Sequence, residues 1–124
     1  MSRTWRVVIG GVAIFNILIG LGFLIDPAGS GLRFFLAPMG TQGMASLRAD
    51  FTAFFVAGGG FTLYAAWQGI ARPLRVPLAL LGLALFGRVV SLVADGPAPT
   101  AFPPMAVEAV MIALLLLARR SARA

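Results

Sequence analysis

Neither cysteine nor histidine occurs in this 124-residue chain, and lysine is missing as well. The absence of cysteine excludes disulfides, thiol catalysis and thiolate metal sites. The absence of histidine removes imidazole haem ligation, histidine-bound zinc and histidine acid–base chemistry. Charge is scarce too: 11% of the residues are charged and 60% are hydrophobic, where a soluble domain carries about 25% charged residues. That deficit leaves no water-compatible surface, and the mean hydropathy of +0.95 agrees. The chain reads as an integral membrane protein.

The charge that is present is one-sided: ten arginines against four acids give +6. Nucleic acid is not the implied partner, because a binding face needs clustered base-reading or phosphate-reading side chains. Here most arginines fall in short segments between apolar runs, where membrane topology accounts for them. Arg3 and Arg6 precede an apolar run over 7–25. That run exceeds the roughly 7–15 residues of a signal-peptide core, and no A-x-A site follows, so it reads as a retained first span.

Four apolar segments, 5–25, 47–70, 74–94 and 102–118, each approach the roughly 20 residues that cross a hydrocarbon core. The last is short and extends by snorkelling of Arg119 and Arg120. The expected fold is an all-α membrane protein of one domain over 1–124, a four-transmembrane-helix bundle. Seven arginines (3, 6, 72, 75, 119, 120 and 123) fall on one side of it, and the opposite loops hold Arg33. Positive-inside bias then puts both termini and the 70–74 turn in the cytoplasm, as for a multi-pass protein of a bacterial inner membrane. Pro73 and Pro77 flank that turn, where one helix stops and the next starts. Trp5, Tyr64 and Trp67 fall near the same side, as an aromatic belt does. The long first outer loop, 26–46, carries GLRFFLAPMG, whose composition fits an interfacial helix or a flap over the bundle mouth; a loop resting on headgroups through its aromatics fits as well. The second, DGPAPTAFPP, is short and stiff. Acid–proline junctions at Asp26-Pro27 and Asp95-Gly96-Pro97 hint at repeated hairpins, but nothing else aligns between the halves.

The stretch LRADFTAFFVAGGGFTL, 47–63, organises the rest. Arg48 and Asp50 sit at its mouth, and charged groups inside a span turn toward a partner or water. Gly58, Gly59 and Gly60 allow a neighbouring backbone to approach closely; no strand precedes them and no lysine follows, so they are not a phosphate loop. Phe51, Phe54, Phe55 and Phe61 suit packing or lipid contact, and less readily a flat wall for a quinone or isoprenoid chain. Elsewhere, Asn16 lies mid-span in the first segment, Arg88 lies about 10 Å below the outer end of the third, and Glu108 enters the fourth to similar depth. Arg88, Ser91 and Asp95 share one helix face. Arg88 is placed to meet a carboxylate of another helix, Asp50 or Glu108, while Arg48 points about 200° away from Asp50. Asp50, Arg88 and Glu108 each cost about 3 kcal/mol if left in lipid, so pairing or hydration is required. The plainer alternative is an ion-pair network that fixes helix register and does nothing more. A cation site from Asp50, Asp95, Glu108 and Asn16 is opposed by the two arginines nearby. No metal or cofactor is expected.

The segments LRADFTAFFVAGGGFTLYAA and LALFGRVVSLVADGP, with an acid in the last span, resemble an uncharacterised family of small bacterial four-span membrane proteins, classed only as a domain of unknown function. Arg48, Ala49, Asp50, Phe51, Gly87, Arg88, Asp95 and Gly96 carry the resemblance, which covers nearly the whole chain. More distantly, the chain is similar to DoxX-like four-helix membrane proteins, some of which accompany quinone-linked oxidoreductases. The resemblance implies a four-helix bundle in the cytoplasmic membrane and carries no established activity.

The leading expectation for function is a non-catalytic bundle in the lipid bilayer that binds a lipid-like small molecule (a lipid, quinone or isoprenoid) or a partner membrane subunit or second copy. Asn16, Arg48, Asp50, Arg88, Ser91, Asp95 and Glu108 supply its outer polar pocket. The alternatives are a small proton-coupled transporter using Glu108 and the anchor subunit of a quinone-linked oxidoreductase. The topology is directly testable because the chain has no cysteine of its own. Single cysteines at Ser2 and Ser121 should resist an impermeant thiol reagent in intact cells, while one at Thr100 should label. Labelling at Ser121 without permeabilisation would reverse the orientation.

Overall fold

The computed structural model describes residues 1–123; Ala124 and the side chain of Arg123, counted above among the arginines of one side, lie outside the described residues. The described residues form helices and connecting turns, with no strand among them. Helix α1 spans Arg3–Ile25, α2 Pro27–Leu32, α3 Gly40–Ser46, α4 Thr52–Gln68, α5 Arg75–Asp95 and α6 Phe102–Arg123. A π-helical turn, Leu47–Phe51, joins α3 to α4, and a 3₁₀ turn, Arg72–Leu74, leads into α5. Three stretches are long and apolar enough to cross a membrane: Arg3–Ile25, Arg72–Asp95 and Phe102–Ala122. Helix α4 has 17 residues, about 25 Å at 1.5 Å per residue, and comes near span length only together with the π turn before it.

The four long helices close a ring in which α1 packs on α4, α4 on α5, α5 on α6 and α6 on α1. The α1–α4 contact is the most intimate of these. A single stripe of α1, namely Ile9, Ala13, Asn16, Gly20 and Phe23, is buried, with the alternating three- and four-residue spacing of one helix face. Small residues set the approach distance. A Cβ added at Gly59 would stand 2.8 Å from the Ala13 carbonyl oxygen, and one at Gly20 would stand 3.1 Å from the Val56 backbone nitrogen. Of the three consecutive glycines only Gly59 makes this approach: a Cβ at Gly58 would touch Leu80 at an ordinary 3.4 Å, and one at Gly60 would meet nothing within 4 Å. The Thr52 hydroxyl donates to the Gly20 carbonyl at 3.2 Å, a further link between the two helices.

Each of these antiparallel helices also closes the other's C-terminal end. The final carbonyls of a helix have no partner within it. Arg6, in the second turn of α1, donates through Nε to the Ala66 carbonyl at 2.8 Å and through Nη2 to the Trp67 carbonyl. Gly69, at φ 68°, and Ile70 turn their amides back onto the Ala65 carbonyl. At the opposite end, Arg48 in the π turn donates through Nε to the Leu24 carbonyl of α1 at 3.1 Å. A cation at a helix C-terminus also complements its dipole.

Two apolar cores result. Near the Arg6 end, Ile9, Ala65, Ala66, Leu74, Leu81, Met111, Leu115 and Ala118 bring all four long helices together. At the other end the core is aromatic and excludes α5 and α6: Phe23, Leu47 and Phe55 are buried against Phe34 and Phe51. Phe23 stacks on Phe51 with ring centroids 4.8 Å apart. The long loop is therefore neither free nor a simple flap. It holds α2 and α3, and the turn after α2 sends Phe34 into this core while Phe35, at φ 60°, faces outward. A non-glycine residue in the left-handed region costs about 1–2 kcal/mol; here the turn is tied by Leu36 N–H to the Gly31 carbonyl at 2.9 Å and by Phe35 N–H to Leu32 at 3.1 Å. Asp26 caps α2 by accepting from the Gly29 amide at 3.1 Å. Asp95 is the exposed last residue of α5, so the two acid–proline junctions are built differently.

Candidate functional site

Beyond Leu81 no residue of α5 is fully buried, because the four-helix core stops there and the aromatic core lies on the α1–α4 side. Arg88 stands seven residues further along α5, about 10 Å. Glu108 stands one turn before Met111 on α6 and is 8% exposed. The Arg88 Nε donates to Glu108 Oε1, and this is the one salt bridge among the described residues. Pairing explains how a carboxylate is tolerated in an apolar helix, since an ionised group without a partner is strongly disfavoured there. The pairing is incomplete. Glu108 Oε2 is buried with no hydrogen-bond partner, whereas the Arg88 side chain remains 38% exposed. One acceptor thus lacks a donor, and a guanidinium that presents five N–H donors has committed one of them to this carboxylate.

Asn16 lies close to this pair along α6. Its Nδ2 donates to the Val12 carbonyl at 2.9 Å and contacts Met111 Sδ at 3.3 Å, linking α1 to the turn of α6 that follows Glu108. A cavity of about 10 Å³ borders Asn16, Thr62, Pro77 and Leu115; a space of that size holds about one water molecule. The Thr62 hydroxyl satisfies itself on the Gly58 carbonyl at 2.7 Å.

The structure separates the other expected site residues. Of the two carboxylates within the sequence-level reach of Arg88, it takes Glu108. Asp50 is exposed in the π turn and makes no salt bridge among the described residues. The π turn that carries it packs on α1, α2 and α4, with Phe51 on Phe23 and Arg48 at the Leu24 carbonyl. Arg48 therefore caps α1 instead of joining the Arg88 pair. Ser91 and Asp95 are exposed along α5. Among the described residues no three acidic side chains gather, so the oxygen donors weighed for a cation do not converge.

Sequence reasoning missed the capping roles of Arg6 and Arg48 and the inward placement of Phe34. The capping by Arg6 had a signal: an arginine in the second turn of one helix, with a glycine just past the end of its antiparallel neighbour. Phe34 had none, because which of two adjacent phenylalanines turns inward depends on the strained turn.

Compared with known proteins, the chain matches no family model, no curated protein and no solved structure.

Replacing one partner of the pair should be costly and replacing both should not. Arg88→Met should destabilise the protein by about 3 kcal/mol, because it leaves the Glu108 carboxylate buried alone, whereas Arg72→Met at an exposed turn should stay within about 0.5 kcal/mol. Adding Glu108→Met to Arg88→Met should restore most of the loss. Unfolding curves of the four proteins in one detergent decide this; equal stabilities for the two single variants would mean the pair holds nothing together.

Proposed function

We propose that this chain is a multi-pass protein of a bacterial cytoplasmic membrane, crossing it four times with both termini inside. In this reading it is non-catalytic and binds a lipid-like molecule, or a partner membrane subunit presenting similar chemistry, beside the Arg88–Glu108 pair. The membrane placement rests on the three long apolar helices and on the arginine asymmetry. It accords with the resemblance to small bacterial four-span proteins.

The observation that carries the binding reading is the unfinished pair: a buried Glu108 oxygen without a donor beside a part-exposed arginine. A network that served register alone gains most by satisfying every buried atom, since a half-satisfied polar group carries its full desolvation cost. The surroundings suit an amphiphile. Leu85 and Leu92, three residues before and four after Arg88, share its face of α5 and are half-buried, where the apolar core has ended. A headgroup with one donor and one acceptor would complete Glu108 and Arg88, while its chain lay on those side chains. Absence of cysteine and histidine from the sequence supports a binding role over catalysis. The burial of Glu108 favours one second reading, a proton-coupled transporter in which this carboxylate carries the proton.

The test replaces the pair as a set. Arg88→Met/Glu108→Met should fold and remain stable, yet lose the molecules or subunit that accompany the wild type through purification in mild detergent, as read by mass spectrometry. Retention of the same companions by the double variant would contradict the binding reading. A Glu108→Gln variant that folds and binds but fails to couple movement to protons would select the transporter.

A further inference from the structure

At the Arg6 end of the molecule, on the α1–α4 seam, an open groove of about 660 Å³ runs between Arg3, Arg6, Val7, Gly10, Leu63 and Trp67. We propose that this groove is a binding site for one anionic phospholipid, with the phosphate at Arg3 and Arg6 and an acyl chain lying along Val7, Gly10 and Leu63. The proposal rests on the membrane-spanning reading above and is independent of the Arg88–Glu108 site, which lies in the opposite half of the bundle.

Charge is the first argument. Arg3, Arg6, Arg72, Arg75, Arg119 and Arg120 all belong to this end, while all four acids (Asp26, Asp50, Asp95 and Glu108) lie in the other half. Among the described residues no acidic side chain is therefore at hand to neutralise the groove. Arg3 is exposed and takes part in no salt bridge among the described residues. Arg6 is partly engaged: it donates to the Ala66 and Trp67 carbonyls, the negative end of α4. Those two bonds fix the guanidinium at the groove wall and leave further donors of its five for a phosphate oxygen.

Shape is the second argument, and it separates a site from a merely basic surface. A Cβ placed at Gly10 meets nothing within 4 Å, so the floor of the groove is open where a side chain would otherwise fill it. Gly10 lies seven residues along α1 from Arg3, about 10 Å. That separation matches the step from a headgroup phosphate into the acyl region. Val7 is 69% exposed and Trp67 75% exposed, giving the groove an apolar wall and an aromatic side chain at its mouth, where tryptophan favours the headgroup level. The positive-inside reading sets this end against the cytoplasmic leaflet, which carries the anionic lipid.

The test uses the full chain with Trp5→Phe, so that Trp67 is the sole tryptophan, reconstituted in phosphatidylcholine vesicles. Acyl-brominated phosphatidylglycerol or acyl-brominated phosphatidylcholine is added as a quencher of Trp67. Phosphatidylglycerol should occupy the site about fivefold more favourably, the scale of one arginine near an anionic membrane surface. Gly10→Leu, which fills the floor without a clash, and Arg3→Gln should each abolish that preference, and Arg75→Gln should leave it intact. Equal quenching by the two lipids overturns the proposal. So does a preference that Arg3→Gln removes but Gly10→Leu does not, since that is surface charge without a groove. Vesicle flotation separates the two readings: a chain that does not float with the vesicles refutes the membrane placement itself, and the groove with it.

Discussion

Where α1 crosses α4, two glycines replace side-chain thickness with backbone contact: Gly59 against the Ala13 carbonyl and Gly20 against Val56. In a membrane there is little hydrophobic drive between helices, and close packing of small residues takes its place. The seam is then locked at its ends, by Arg6 on the last carbonyls of α4 and by Arg48 on the Leu24 carbonyl of α1. Both arginines act across the pair, so the capping also fixes the sliding register of the two helices. The aromatic core follows from that register, because Phe23 of α1 meets Phe51 and Phe55 only when α1 and α4 are aligned in this way.

The remaining two helices are held less evenly. Near Arg6 they share a core with α1 and α4 through Leu81, Met111 and Leu115; farther along, α5 has no fully buried residue. The Arg88–Glu108 pair sits in that second region and joins α5 to α6 where apolar packing has stopped. Its position explains both its tolerance and its incompleteness. One face of the arginine reaches the surroundings, while the carboxylate is enclosed by its own helix pair and left with an unmatched oxygen.

Much of this frame was legible in the sequence, and the failures have identifiable causes. The long apolar segments emerged close to the observed helices because apolar length and proline or glycine stops are local properties. The glycine triplet was readable as close packing, but not that Gly59 alone would carry it, since that depends on where Ala13 arrives from another helix. The sequence offers both Asp50 and Glu108 as carboxylates for Arg88, and the pair forms with Glu108. Nor is the π turn Leu47–Phe51 legible there, in which Arg48 reaches Leu24 and Phe51 reaches Phe23. Counting Arg6 as a topological charge gives no account of its bonds to Ala66 and Trp67. Charge counting locates an arginine along the sequence and is silent on which carbonyl it meets.

The dependence of the whole arrangement on the α1–α4 seam can be measured by comparing Gly59→Ala with Gly60→Ala, two single-methyl additions one residue apart on the same helix. Denaturant unfolding of the purified proteins in one detergent is the readout. Gly59→Ala should lose about 1–3 kcal/mol, the scale of overpacking where backbone must move. Gly60→Ala should be neutral or gain up to about 1 kcal/mol from helix propensity. Equal stabilities for the two variants would show that the seam is not closely packed at Gly59, and the account built on it would fail.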